Sequence, residues 1–280
     1  MKPFGQEFSS VEAHYKHEGL EAGLLAALVA AGKDLNNLKP VDLAPFDEFH
    51  IRGRKATLEL AREIGHEEGW QVLDVGCGLG GPSRCLALEF GCHVTGIDIC
   101  QDYCQVASML AHRLKLDSRV SYRQGNALEM PFDDAAFDLL WTQHATMNIA
   151  DKDKLYREMW RVLKPGGKLV FYDVFAGAVG PVHFPVPWAH ESSTSFLVSP
   201  DQIRNRLEHI GFEIFTWRDT TETGRSWFRQ MGEKIQSEGL PPLGIHLLLG
   251  PDFQIMAQNQ VRNLEENRVA LIEAVVRRPE

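Results

Sequence analysis

The run WQVLDVG, residues 70–76, is a β-rich apolar stretch that opens directly into Gly76, Gly78 and Gly81 in G-x-G-x-x-G spacing. PSRCLALEF (82–90) follows with helical apolar spacing and is stopped by Gly91. The alternation then continues. Strands are predicted at 93–99, 120–126, 137–143, 168–175 and 212–217. Helices are predicted at 101–116, 152–163 and 199–211, with KPGG (164–167) as a turn. Residues 1–66 read as helical. Strands that alternate with helices form a mostly parallel sheet covered on both faces, an α/β Rossmann-like, doubly wound architecture. Segment 268–278, RVALIEAVVRR, suits a strand by its β-branched content, although a helix also fits its periodicity.

In such a sheet the ligand lies beyond the carboxyl ends of the strands. That gathers loops 75–82, 98–101, 125–128 and 141–148 around one crevice. The glycine spacing alone admits two ligands, a dinucleotide or S-adenosylmethionine (SAM). Asp98, 22 residues after Gly76, could bind ribose hydroxyls in either case. Asp74 discriminates between them. A carboxylate two residues before the loop would repel a pyrophosphate, whereas SAM brings an ammonium and a sulfonium there. In GNALEMPF (125–132), Asn126 and the backbone N–H of Ala127 suit an adenine edge. SAM is therefore the expected cofactor.

VLDVGCGLGG, VTGID, GNALEMPF, FDLLWTQ and RVLKPGG occur in that order. Together they resemble the class I SAM-dependent methyltransferases, in particular the small-molecule branch of ubiquinone/menaquinone and sarcosine/dimethylglycine enzymes. The resemblance spans about residues 48–217. It implies a seven-stranded sheet whose last strand alone runs antiparallel, which favours the strand reading of 268–278. The chain is read as an N-terminal helical cap (1–66) on a methyltransferase domain (67–280), with a lid at 176–199 and a helical insertion at 218–267 that is longer than in minimal relatives. Carried over residue by residue, Gly76 and Gly78 approach the methionine part, Asp98 holds the ribose, and Ile99 packs on adenine. Asn126 and Ala127 read the adenine edge, and Gln143 lies near the methionine moiety. Two positions depart from the pattern. Many relatives carry His where this chain has Asn148, and Asp where it has Asn126.

For chemistry, His144 is the first candidate base and His50, in DEFHIRGRKAT, the second. Arg52 and Arg54 are candidates to pair with a ligand carboxylate. Met147, Trp188, Trp227 and His246 are candidates to line the acceptor pocket. The resemblance implies methyl transfer to a small metabolite, first to an amine or amino-acid-like nitrogen. The alternatives are C- or O-methylation of a larger apolar compound, which the run LGIHLLLG (243–250) suits, and SAM binding without transfer.

Net charge is −9 with no Lys/Arg block, which disfavours nucleic-acid and anionic-membrane partners. LEAGLLAALVAAG (20–32) is too short to span a bilayer and lacks a basic flank. Five cysteines, an odd number with no C-x-x-C pair, are expected as reduced buried thiols rather than zinc ligands. A cytoplasmic protein, with a homodimer allowed for, is the resulting expectation.

Overall fold

A computed structural model describes residues 14–15, 19–65 and 67–280. The rest of the expected helical cap lies outside the described residues. Among the described residues, the helices α1 (Leu20–Ala30), α2 (Pro40–Asp47) and α3 (Gly53–Glu63) precede the sheet. In α1 the buried residues are Leu20, Leu24 and Leu28, four apart and so on one helix face. They pack with Leu43 and Phe46 of α2.

The sheet is built from β1 (Gln71–Val75), β2 (His93–Asp98), β3 (Val120–Gln124), β4 (Phe137–Gln143), β5 (Leu163–Ala176), β6 (Glu213–Asp219) and β7 (Val269–Arg277). The strand order is β3-β2-β1-β4-β5-β7-β6. The pairs among β1 to β5 are parallel, and β7 is antiparallel to both of its neighbours. The expected strand at 268–278 is thus present and inserted between β5 and β6. Between the strands run α4 (Gly81–Phe90), α5 (Gln101–Arg113), α6 (Lys152–Val162) and α7 (Pro200–Ile210). After β6 come α8 (Thr221–Glu238), the single turn α9 (His246–Leu249) and α10 (Phe253–Glu265).

Local chemistry accounts for several boundaries. Ser199 and Gln202 form a reciprocal cap on α7, and Gly211 ends it with a φ of 119°. The KPGG turn is a correction. It lies inside β5, where pairing jumps from Phe137↔Leu163 to Leu139↔Lys168. Gly166 at φ 75° makes the bend, so the chain rejoins the ladder as a bulge instead of leaving the sheet. The helix expected to reach 116 ends at Arg113. Segment 176–199 is irregular apart from one 3₁₀ turn, Ser192–Thr194, and an isolated bridge between Val186 and Ala189.

One apolar cluster, around Trp141, Tyr172 and Leu271, covers one sheet face, and another, around Phe171, Tyr156 and Met159, covers the other. All five cysteines are buried and unbonded. Among the described residues, no helix is long and apolar enough to cross a membrane.

Candidate active site

A cavity of about 840 Å³ opens at the carboxyl ends of β1, β2 and β4. Its floor is the glycine loop. The N–H groups of Gly76 and Cys77 both donate to the Ile97 carbonyl, at 2.8 and 3.0 Å, which turns the chain sharply off β1. Gly76 has φ 75°, and a Cβ there would lie 2.3 Å from Ala145 Cβ. Gly78 has φ 51°, and its missing Cβ would enter open space. The loop is therefore tight against protein at Gly76 and open to the cavity at Gly78.

Asp98 fixes this floor. Its two carboxylate oxygens accept from Gly78 N–H and Cys100 N–H, both at 2.9 Å. Burial raises its pKa. Each oxygen keeps a further lone pair for a ligand. Ile99, Asn126 and Ala127 also line the cavity. Asn126 Oδ1 accepts from Leu128 N–H at 2.8 Å, which orients the amide. Asp74 sits elsewhere. It is 1% exposed, does not line the cavity, and accepts from Ser83 Oγ at 2.5 Å beneath the loop. Burial pushes its pKa up to about 7.

Gln143 and His144 stand at the end of β4. Trp141 Nε1, which can only donate, reaches Gln143 Oε1 at 2.8 Å. Thr57 Oγ1 lies 3.0 Å from the same oxygen. The amide nitrogen, Nε2, is buried without a partner. It is a directed donor that awaits an acceptor.

His144 has φ 47°, and its N–H donates to Tyr172 O at 2.8 Å. Its ring lies parallel to that of His50 at 5.9 Å and edge-on to Tyr172 at 4.7 Å. Both imidazole nitrogens are buried and unpartnered. Burial, then the neighbouring His50, holds its pKa well below 6.5. His144 is therefore a neutral imidazole. His50 also lines the cavity, with Nε2 2.9 Å from Glu48 Oε2. The two histidines expected from the sequence thus share one wall but differ in partners, since a carboxylate holds His50 and no protein side chain or backbone group holds the His144 ring.

The loop that carries His144 is anchored from below. Asp173 accepts from Thr146 N–H at 2.8 Å, and Lys152 Nζ donates to the carbonyls of Thr146 and Ile149 at 2.5 and 2.6 Å. Burial lowers the Lys152 pKa to about 8. Asn148, where many relatives have His, ties three segments together. It accepts from Tyr15 OH at 2.9 Å and donates to the carbonyls of Trp188 and Thr194 at 2.7 and 2.9 Å.

The far wall is apolar. Met147, Trp188, Trp227, Phe228, Leu249 and Phe253 line it. Trp188 is held by a bond from its indole N–H to Ser195 Oγ at 2.9 Å. His246 does not line the cavity. It packs edge-on against Phe253 at 5.7 Å, and its neighbours Ile245 and Leu249 face the space instead. Arg52 and Arg54 are corrected as well. Arg52 pairs with Glu59 and Glu273, and Arg54 with Glu89, so both find partners within the protein. Among the described lining residues there is no Lys or Arg, while Asp47, Asp98 and Asp151 are present.

Sequence reasoning missed Tyr15, Asn148 as a tie, Phe228, Phe253 and Gln260. Tyr15 and Gln260 carried no motif. Asn148 stood out only as a departure from the family pattern.

Residues 73–171 match the family model described as "Methyltransferase domain". The chain is 34% identical over 187 residues to Methyltransferase GfsG of Streptomyces halstedii, a match covering 66% of this chain and 67% of that one. It is 26% identical over 236 residues to the sarcosine/dimethylglycine N-methyltransferase of Halorhodospira halochloris, covering 84% and 83% respectively. It is 32% identical over 169 residues to the sterol 24-C-methyltransferase of Kluyveromyces lactis, covering 58% of this chain but only 46% of that longer relative. In fold it is similar to phosphoethanolamine N-methyltransferase 2 of Haemonchus contortus, solved with S-adenosyl-L-methionine. The TM-score is 0.70 at 22% identity, over 84% of this chain and 54% of the other.

Proposed function

The chain belongs to the class I SAM-dependent methyltransferases, and from that premise we propose that it methylates a small, neutral and largely apolar acceptor. The observation that carries the acceptor class is the cavity wall. It is aromatic and aliphatic on the side away from the glycine loop, and no described lining residue is a cation. An amino-acid or phosphorylated acceptor would bring an anion into a cavity whose described lining holds aspartates and no Lys or Arg.

The residues present fit SAM. Gly78 leaves open space where any side chain would intrude. Gln143 Nε2 is a buried donor suited to a carboxylate. Asp98 would hold the ribose, Ile99 would pack on adenine, Asn126 and Ala127 would read its edge, and Gly76 and Gly78 would admit the methionine portion. Bound there, SAM supplies an electrophilic methyl on a sulfonium. The remaining work is positioning, which for an in-line displacement can account for much of the acceleration. Segment 176–199 and helices α8 to α10 act as the roof, with Trp188 and Trp227 excluding water and aligning the acceptor. His144, neutral and without a protein partner, accepts the proton that a hydroxyl or acidic carbon must lose. The buried thiols support a reducing, cytoplasmic setting.

A second reading, transfer to an amine nitrogen, is favoured by the aromatic faces and the aspartates, both of which suit a cation. Label from methyl-labelled SAM should pass to apolar ring compounds bearing a hydroxyl or carbonyl and not to sarcosine. Transfer to sarcosine alone would reverse the order of the two readings.

Asp98→Ala should weaken SAM binding by about 1.5–3 kcal/mol, the scale of hydrogen bonds to a charged group. The variant also frees the N–H groups of Gly78 and Cys100, so the loop loses its anchor. Unchanged affinity by calorimetry would remove Asp98 from the cofactor site.

A further inference from the structure

Helix α10 presents three buried amides, Asn259, Gln260 and Asn263. Two of them hold the irregular segment that crosses them. Asn263 Oδ1 accepts from His183 N–H at 2.8 Å, and its Nδ2 donates to His183 O at 3.0 Å. Asn259 Nδ2 donates to Pro185 O at 2.9 Å. Gln260, between them in sequence, does neither. It is 3% exposed and lines the cavity, and neither Oε1 nor Nε2 has a partner.

A buried amide with both ends unmade is costly, and native structures seldom keep one without a use. Of the neighbours that share its wall, Phe253, Ala257 and Phe228 have no side-chain hydrogen-bonding group, and the indole N–H of Trp227 makes no bond to Gln260. We propose that Gln260 is a specificity-determining residue that hydrogen-bonds one neutral hydroxyl on an otherwise apolar acceptor. This rests on the methyltransferase reading and narrows its substrate class. A hydroxyl satisfies both ends of the amide, donating to Oε1 and accepting from Nε2. A carboxylate satisfies only Nε2, sets its charge against Oε1, and meets no cation among the described lining residues. A pure hydrocarbon leaves the amide as costly as before. Discrimination of this kind is strong because the penalty falls on the site's own buried group.

The test uses the full chain saturated with S-adenosylhomocysteine, so that no turnover occurs. It is titrated calorimetrically with three probes on one ring system: 2-naphthol, naphthalene and 2-naphthoate. Wild type should bind 2-naphthol about tenfold or more tighter than naphthalene, and 2-naphthoate more weakly than either. Without a hydrogen bond the order would reverse, since naphthalene is the more hydrophobic. Gln260→Met keeps the side chain's length and removes its polarity. It should lose the preference for 2-naphthol while keeping its affinity for naphthalene and for S-adenosylhomocysteine. A preference that persists in Gln260→Met, its absence from wild type, or failure of all three probes to bind would each overturn the assignment. If Gln260→Met only raises the melting temperature and leaves the three affinities in place, the amide is a structural orphan and the proposal fails. Failure of wild type to bind S-adenosylhomocysteine would instead sink the underlying methyltransferase reading.

Discussion

Gly78→Val should abolish SAM binding, by about 100-fold or more, while leaving a folded protein. Position 78 separates the two outcomes because its backbone is left-handed, at φ 51°, yet no atom lies within 4 Å of where a Cβ would stand. The strain of a β-branched residue at that φ costs roughly 1–2 kcal/mol, which a domain of this size tolerates. The valyl methyls would then fill the open space beside the loop, where the proposed site admits the methionine part of SAM. Gly76 is the useful contrast, since there a Cβ would meet Ala145 at 2.3 Å and the loop itself would have to move. Calorimetry with SAM and a thermal melt suffice as the check. Undiminished SAM affinity in a folded Gly78→Val protein would mean the loop holds another ligand.

His144→Ala should lower kcat by about 10²–10⁴-fold while SAM affinity stays nearly constant. The ring faces the cavity with both nitrogens unpartnered, and it makes no side-chain hydrogen bond whose loss would loosen the glycine loop. The pH profile carries a second expectation. A base must be unprotonated to act, and burial lowers the His144 pKa well below 6.5. The acid limb of kcat should therefore lie below pH 6.5, with activity flat from there toward pH 8 for a neutral acceptor. If His144 merely orients the acceptor, KM will rise and kcat will fall only modestly. An acid limb above 6.5 that persists in His144→Ala would move the proton transfer to another group.

Much of the cofactor side was legible in the chain. Buried parallel strands read as continuous apolar runs, and VLDV, VTGID and FDLLW each announced one. The glycines were legible because only glycine adopts φ 75° and φ 51° readily at a junction where backbone must approach a ligand. Even β7 could be read as an antiparallel last strand, although that reading rested on family likeness, and its place between β5 and β6 was given only by the structure. The KPGG turn was harder. Its residues do bend the chain, but whether a bend leaves the sheet or bulges within it depends on the neighbouring strand.

The acceptor side was much less legible. Arg52 looked free to meet a ligand, and its partner Glu273 stands 221 residues away. Tyr15 and Asn148 meet across 133 residues. Asn259 and Asn263 are spent on segment 183–185, and that alone isolates Gln260 as unpartnered. His246 was expected in the pocket because it sits in an aliphatic run, but its turn of helix presents Ile245 and Leu249 there instead. The sequence by itself determined the strand–helix alternation and the glycine floor, because each is set by backbone periodicity and conformational limits acting within a few residues, whereas the cofactor followed from the order of family motifs and not from Asp74, which lies beneath the loop. Only the tertiary structure decided which polar groups are already satisfied and which are left facing the cavity. That depends on hydrogen bonds and ion pairs between residues brought together from opposite ends of the chain, and no local pattern encodes them.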